Sequence, residues 1–305
     1  MKPIFTGFLV LLSTVLFSQN IDSIYIVAHY DKAEVSIPMR DGTKLFTAIY
    51  TPKDKSKVYP ILLNRTCYSV APYGTDKYKA MIGPSRFLMR DGYIIVYQDV
   101  RGRWMSEGKF DNMRPNIPGN DRKNKTAIDE SSDTWDTIDW LVKNIKNNNG
   151  RVGQWGISYP GFYTTAALPD AHPALKASSP QAPIADFFFD DFHHQGALLQ
   201  SYLPAYAVFG YQHDGPTSTS WYSDKISRFK NDEVGDGYAF NLELGALKHV
   251  TEKLHGDNFF WQQMVDHPNY DEFWQARNIL PHLGDVKHSV MTVGGWFDAE
   301  DLYGP

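Results

Sequence analysis

From residue 33 onward, short apolar runs alternate with stretches of helical spacing, the pattern of an α/β domain. Ala33–Met39 (AEVSIPM) and Lys44–Thr51 (KLFTAIYT) read as strands around Asp41-Gly42, a pair that predicts a type I′ hairpin turn. Tyr59–Asn64 and Tyr93–Val100 are near-continuous apolar runs and read as buried strands. Asp133–Ile145 spaces Trp135, Ile138, Leu141, Val142 and Ile145 as one face of a helix. Arg151–Ile157 predicts a strand, Tyr159–Leu168 a helix, and Leu175–Ser179 another short strand.

The rhythm then changes. From Ala182 to Leu283 no clean strand is legible; aromatic-rich stretches (Phe187–Phe189, Tyr202–Tyr211) and amphipathic segments (Leu242–Leu254, Phe259–Val265) predict a helical insertion. Ser289–Gly294 resumes a buried strand. The chain then runs through Gly294-Gly295-Trp296-Phe297-Asp298 to Pro305, with nothing left to cover that sheet edge, so the domain reads as cut short. The expected organisation is a leader at 1–18, a first part of the α/β domain at 19–182, a helical cap at 183–284, and the resumed domain at 285–305.

The leader follows from Lys2, the apolar run Phe5–Phe17 and the polar Ser18-Gln19-Asn20. A basic start, a short apolar stretch and a small residue before polar ones describe a secretory signal, too short to span a bilayer comfortably. Cleavage is expected after Ser18, giving an exported protein, periplasmic or secreted, with no membrane attachment afterwards. Composition narrows the rest. Among 305 residues, 30 Lys+Arg against 35 Asp+Glu leave a net charge of −5, which offers no pull toward nucleic acid or anionic lipid. Charged residues at 21% with 14% aromatic residues exclude a disordered chain. One cysteine, Cys67, excludes an intramolecular disulfide and a Cys-rich zinc site.

The chemistry gathers at Gln154-Trp155-Gly156-Ile157-Ser158-Tyr159-Pro160-Gly161. A serine between a strand and a helix projects its hydroxyl above the sheet, and the next backbone N–H, that of Tyr159, points at a developing oxyanion. Gly156 permits close packing, and Pro160 suits a first helical turn, where no backbone donor is needed. The strict G-x-S-x-G spacing is not met, since the second glycine falls at Gly161. The competing reading is a buried serine at an ordinary strand–helix junction.

Gly156-Ile157-Ser158-Tyr159-Pro160-Gly161 resembles the G-x-S-Y-x-G elbow of the α-amino-acid ester hydrolases and their relatives, the cocaine-esterase-like enzymes, cephalosporin acylases and Xaa-Pro dipeptidyl-peptidases. Val35–Ala48, Asn64-Arg65-Thr66-Cys67-Tyr68, Gln98–Arg103 and Gly294–Asp301 are similar to that group in the same order. The resemblance implies an α/β-hydrolase fold with a helical cap, continued in relatives by the rest of the hydrolase domain and a C-terminal jelly roll, often as homo-oligomers. It implies Ser158 as nucleophile, Asp298 as triad acid, and Tyr68 with the Tyr159 N–H as the oxyanion hole. Cys67 stands where the family usually has proline, and the alternative for Tyr68 is a core aromatic at a strand end. The order Ser, Asp, His puts the base last, yet all ten histidines, His288 included, precede Asp298.

The resemblance also implies a substrate. Asp191, Glu300 and Asp301 match an acidic cluster that binds an α-ammonium, as clustered carboxylates favour a cationic guest. Two other readings of Glu300 and Asp301 stay open, a helix N-terminus and a Ca²⁺ site. No cofactor and no resident metal are expected. The expected partners are a small α-amino acid ester, amide or short peptide and an amine acyl acceptor, with acyl transfer to that amine beside hydrolysis. A dipeptidyl-peptidase or cephalosporin/glutaryl acylase is the alternative enzyme; a binding protein that has lost its histidine is the alternative of another class.

Overall fold

The computed structural model describes residues 21–119, 124–227, 236–298 and 304. The expected leader at 1–18 and the acidic pair Glu300 and Asp301 lie outside the described residues.

Strands β1 (Tyr30–Pro38), β2 (Lys44–Pro52), β3 (Tyr59–Thr66), β4 (Ile94–Asp99), β5 (Asn148–Ile157) and β6 (Leu175–Gln181) follow the predicted runs, most of them extended by one to three residues and β4 one residue shorter at each end. Two-residue strands β7 (His193–His194) and β8 (Ala197–Leu198) form a separate hairpin, and β9 (Ser289–Val290) rejoins the main sheet. The main sheet runs β1-β2-β4-β3-β5-β6-β9, antiparallel at β1/β2 and β2/β4 and parallel elsewhere. Alternation explains the layers. Ile94 and Val96 of β4, with Leu45 and Ile49 of β2, enter one apolar cluster with Ile138 and Leu141. Their neighbours Ile95, Tyr97, Phe46 and Tyr50 enter another, with Ile26 and Met89. Successive side chains point to opposite faces of a strand, so the sheet is covered on both sides.

Four helices flank the sheet: α1 (Ile21–His29), α2 (Arg86–Arg90), α3 (Glu130–Asn144) and α4 (Tyr159–Ala166). α3 starts earlier than its apolar spacing indicates, because Asp129 and Ser132 form a reciprocal capping box. Neither α1 nor α2 was legible in the sequence. α1 buries Ile26 while Ile21, Ile24 and Val27 stay exposed, so no apolar face repeats along it.

Two local expectations are corrected. At the β1/β2 hairpin only Gly42 takes a positive φ, of 90°, whereas a type I′ turn needs two such residues. The loop is a three-residue turn closed by Gly42 N–H to Met39 O at 2.8 Å, with Gly42 as its left-handed residue. The segment after Ser289, expected to be buried, is exposed: Met291 and Val293 donate to the Ser178 and Pro180 carbonyls at 2.9 and 3.1 Å, and it is the last strand in the sheet order.

Between β6 and β9 the regular elements among the described residues are short helices, apart from the β7/β8 hairpin. The stretch from Leu242 to Leu254 is interrupted at Gly245, which takes φ 70° after helix Gly237–Leu244. Phe187, Phe192, Tyr206, Phe209, Phe260 and Trp274 from this segment share one apolar cluster with Tyr159, Phe162 and Tyr163 of α4. No helix among the described residues is long and apolar enough to cross a membrane.

Candidate active site

Ser158 sits between β5 and α4 with φ 61° and ψ −124°, a backbone conformation that favours glycine. Its N–H donates to Gln181 O at 2.9 Å, and its own carbonyl accepts from Phe162 N–H at 3.0 Å. The two glycines explain how so tight a turn fits. A Cβ on Gly156 would lie 2.1 Å from the Pro160 oxygen, and one on Gly161 would lie 2.8 Å from both Gln181 O and Pro183 Cα. Gly161 therefore serves the close approach to the end of β6, and Pro160 occupies a first-turn position where its missing N–H costs nothing. The departure from G-x-S-x-G leaves the elbow intact.

Tyr159 is fully buried. Its hydroxyl donates to Asn112 Oδ1 at 3.1 Å and accepts from Met113 N–H at 2.9 Å. Its ring lies 5.1 Å from that of Tyr163 and 5.2 Å from that of Phe209. Burial pushes the phenol well above its ordinary range. Packed in this way, the side chain fixes the start of α4 and with it the direction of the Tyr159 N–H.

Tyr68 lies two residues beyond the end of β3 and is 41% exposed, unlike a strand-end core aromatic. Its ring lies 6.0 Å from Phe209, so one ring bridges Tyr68 and Tyr159. Cys67 beside it is buried, and burial pushes its thiol up to about 12.

Asp298 is exposed and follows the last sheet residues, its N–H donating to Gly295 O at 3.2 Å in a turn. Val293, which bridges to Gln181, ties this segment to the residue that holds Ser158. Asp191 lies in the turn Phe188–Phe192, only 7% exposed, and its Oδ2 has no hydrogen-bond partner. Its carboxyl is pushed up to about 8, first by burial, then by the charges of Asp190 and Asp298. The adjacent Asp190 has a different task, accepting the N–H groups of Ala185 and Asp186 at 2.7 and 2.9 Å. Ser158, Asp191 and Asp298 thus belong to segments leaving the carboxyl ends of β5, β6 and β9, where open parallel sheets form their sites.

Four of the histidines are engaged elsewhere. His193 stacks on Phe188 at 3.8 Å, and burial lowers its pKa. His288 bonds Ser178 Oγ at 2.9 Å, His255 the Leu203 carbonyl at 3.1 Å, and His267 Asp271 at 2.7 Å. Among the described residues no group of three or more His, Cys, Asp or Glu is arranged to hold a metal ion.

Sequence reasoning missed the polar layer beneath the elbow. Arg65 is fully buried, donating to Gln98 Oε1 at 2.9 Å, Glu130 Oε2 at 3.0 Å and Thr134 Oγ1 at 2.8 Å. Arg101 grips both oxygens of Asp133, at 3.0 and 2.7 Å, and reaches Asp41 at 2.7 Å. Asp99 takes the Val70 N–H and the Tyr73 hydroxyl, each at 2.9 Å, and burial pushes its carboxyl up to about 7. These residues come from Asn64–Tyr68 and Gln98–Arg103, stretches marked beforehand only by resemblance.

A mostly parallel sheet covered on both faces, with a strained serine at a glycine-cleared strand–helix elbow, defines the α/β-hydrolase class. The family model described as X-Pro dipeptidyl-peptidase (S15 family) matches residues 41–304, and the chain belongs to that family. It is 27% identical over 292 residues to a cocaine esterase from Rhodococcus sp. (strain MB1 Bresler), covering 91% of this chain and 45% of that protein. It is similar to the crystal structure of an aminopeptidase from a marine sediment Thaumarchaeota archaeon, with TM-score 0.76, 35% identity and coverage of 90% of this chain and 44% of that one. A selenomethionine-labelled α-amino acid ester hydrolase matches with TM-score 0.74 and 32% identity over the same shares, 90% and 44%. The chain spans under half the length of these relatives.

Proposed function

We propose that this chain carries the nucleophile of a serine hydrolase that cleaves α-amino acid esters or amides through an acyl-enzyme. The observation that carries the reading is the strained elbow at Ser158 together with a buried carboxylate, Asp191, that lacks a partner at Oδ2. Family membership and the likeness to an α-amino acid ester hydrolase and an aminopeptidase support it.

In this reading a primary ammonium pairs with Asp191, and Glu300 and Asp301 complete the acidic site. The ion pair favours the ionised carboxylate and orients the substrate carbonyl relative to Ser158, an entropic contribution to the rate. Ser158 Oγ attacks that carbonyl and its proton passes to a histidine, which the family order places after Asp298; Asp298 orients the imidazole. The Tyr159 N–H and the Tyr68 hydroxyl stabilise the oxyanion. The leaving alcohol or amine takes the proton, and water, or an acceptor amine in the transfer reaction, then resolves the ester on Ser158. The N-terminal pattern supports export.

Fluorophosphonate labelling of the full-length protein tests the nucleophile: Ser158→Ala abolishes it, and persistent labelling sinks the assignment. Turnover of a free amino acid ester against its N-acetyl derivative tests the ammonium site. Equal rates on both would move the reading to a side-chain acylase, and no turnover with retained binding of the free amine would make the chain a binding protein.

A further inference from the structure

We propose that Arg103 and Trp104 are positioning residues that hold Tyr68 in place as an oxyanion donor, by clamping the peptide that joins it to Cys67. The inference rests on the role given to Tyr68 above. Arg103 Nε and Trp104 Nε1 both donate to the Cys67 carbonyl oxygen, each at 3.1 Å. The other end of the same peptide unit is held too, since the Tyr68 N–H donates to Thr66 Oγ1 at 3.0 Å. A peptide unit is planar. Fixing its oxygen and its hydrogen therefore fixes the plane of that unit, and with it ψ of Cys67 and the position of the Tyr68 Cα from which the side chain leaves the loop.

The two donors are held at some cost, and that cost points to a purpose. Arg103 is fully buried, yet its Nη1 and Nη2 have no hydrogen-bond partner and no carboxylate pairs with it among the described residues. Its guanidinium lies 4.8, 4.6 and 5.3 Å from the rings of Phe110, Trp221 and Tyr222, whose π faces offset part of the desolvation. A buried cation without an acid is expensive, and an apolar residue would fill the space more cheaply. What an apolar residue could not supply is the bond to Cys67. Trp104 holds a left-handed φ of 51°, unusual for a bulky residue, and its carbonyl accepts the Thr217 N–H at 2.8 Å. Strain of this kind persists where the surroundings over-determine the conformation. Gly102 before the pair permits the sharp turn, as a Cβ there would lie 2.1 Å from Phe110 N.

An oxyanion donor contributes only when it is already aimed at the developing charge, and losing one costs about a hundredfold or more in kcat. The test is a double-mutant cycle on the full-length protein, with folding checked by circular dichroism. Arg103→Met is expected to lower kcat about tenfold or more at unchanged KM, and Trp104→Phe, which keeps the ring and removes the donor, several-fold, both below the oxyanion-donor value. In a Tyr68→Phe background both effects shrink to within about twofold, because the group being positioned is gone. If Tyr68→Phe lowers kcat but Arg103→Met and Trp104→Phe cost the same in both backgrounds, the clamp is refuted while the oxyanion role of Tyr68 stands. If Tyr68→Phe leaves kcat unchanged, both fall. Should Arg103→Met fail to fold, Trp104→Phe decides alone.

Discussion

Asp191→Asn exposes the character of the proposed ammonium site without any turnover assay. In the folded protein burial and the neighbouring charges of Asp190 and Asp298 push the Asp191 carboxyl up to about 8 from 3.8. Each tenfold weakening of an acid is worth about 1.4 kcal/mol, so ionised Asp191 costs the fold on the order of 6 kcal/mol relative to the unfolded chain. The sign follows from proton binding. Below pH 3.8 the group is protonated in both states and contributes nothing. Between 3.8 and about 8 the native protein keeps a proton that the unfolded chain has released, so stability falls as pH rises. Above about 8 both states are ionised and the loss levels off. Asparagine has nearly the same shape as the protonated acid and does not titrate.

Urea unfolding midpoints measured from pH 4 to pH 9 are the assay, a window set by the two values 3.8 and about 8. Wild type and Asp191→Asn should agree at the acid end, and the variant should become progressively more stable toward the alkaline end. Curves that stay parallel would refute the buried, unpaired carboxylate. A ligand then connects this cost to function. At pH 8 and a hundred times its dissociation constant, alaninamide should stabilise the wild type by about 2.7 kcal/mol. It should do nothing for Asp191→Asn, and N-acetylalaninamide should do nothing for either.

Three other outcomes follow from the elbow and its support. Ser158→Gly should unfold at a higher temperature than Ser158→Ala, by a difference worth about 1 kcal/mol, because only glycine accepts φ 61° without strain; equal midpoints would mean that the elbow stores none. Arg65→Met should cost about 3–5 kcal/mol in denaturant titrations, since it strands the buried carboxylate of Glu130, whereas Asp133 keeps Arg101. Burial already pushes Glu130 up, and without the facing guanidinium it rises further, so the deficit should be larger at pH 8 than at pH 5; a loss independent of pH would refute that account. Cys67 should resist a thiol reagent at pH 8 in the native state and react on unfolding, as burial pushes its thiol up to about 12. Prompt native reaction would contradict its placement.

The parts of the fold that were legible depend on local periodicity. Ile94-Ile95-Val96-Tyr97 reads as a buried strand because both faces of the sheet are covered, and Ile138 and Leu141 betray the inner face of α3. The Asp41-Gly42 turn was misread because Asp41 answers to partners that a dipeptide cannot reveal. Its carboxylate accepts the Thr43 N–H at 3.1 Å and pairs with Arg101, sixty positions away in the chain, at 2.7 Å. The spacing around Ser158 departed from the strict motif, and only the approach of Gln181 and Pro183 to Gly161 shows why the departure is harmless.

The site divides along the same line. The strand–helix context nominates Ser158, and resemblance adds Asp298 and Asp191. Neither shows what sets Asp191 physically apart from Asp190, an adjacent residue of the same type. The fold separates them by partners: one oxygen of Asp190 takes two backbone N–H groups, while Oδ2 of Asp191 takes none. The same holds for the arginines. Arg65, Arg101 and Arg103 are all buried, but the first two face the carboxylates of α3 and the third faces a carbonyl and three aromatic rings. Arg65 and Arg101 stiffen the floor under the elbow through charge pairing with those carboxylates. Arg103 acts through a bond to an uncharged oxygen, so Arg103→Met strands no buried carboxylate and should cost less in denaturant titrations than Arg65→Met; a loss as large would erase the distinction drawn between the two sets of arginines.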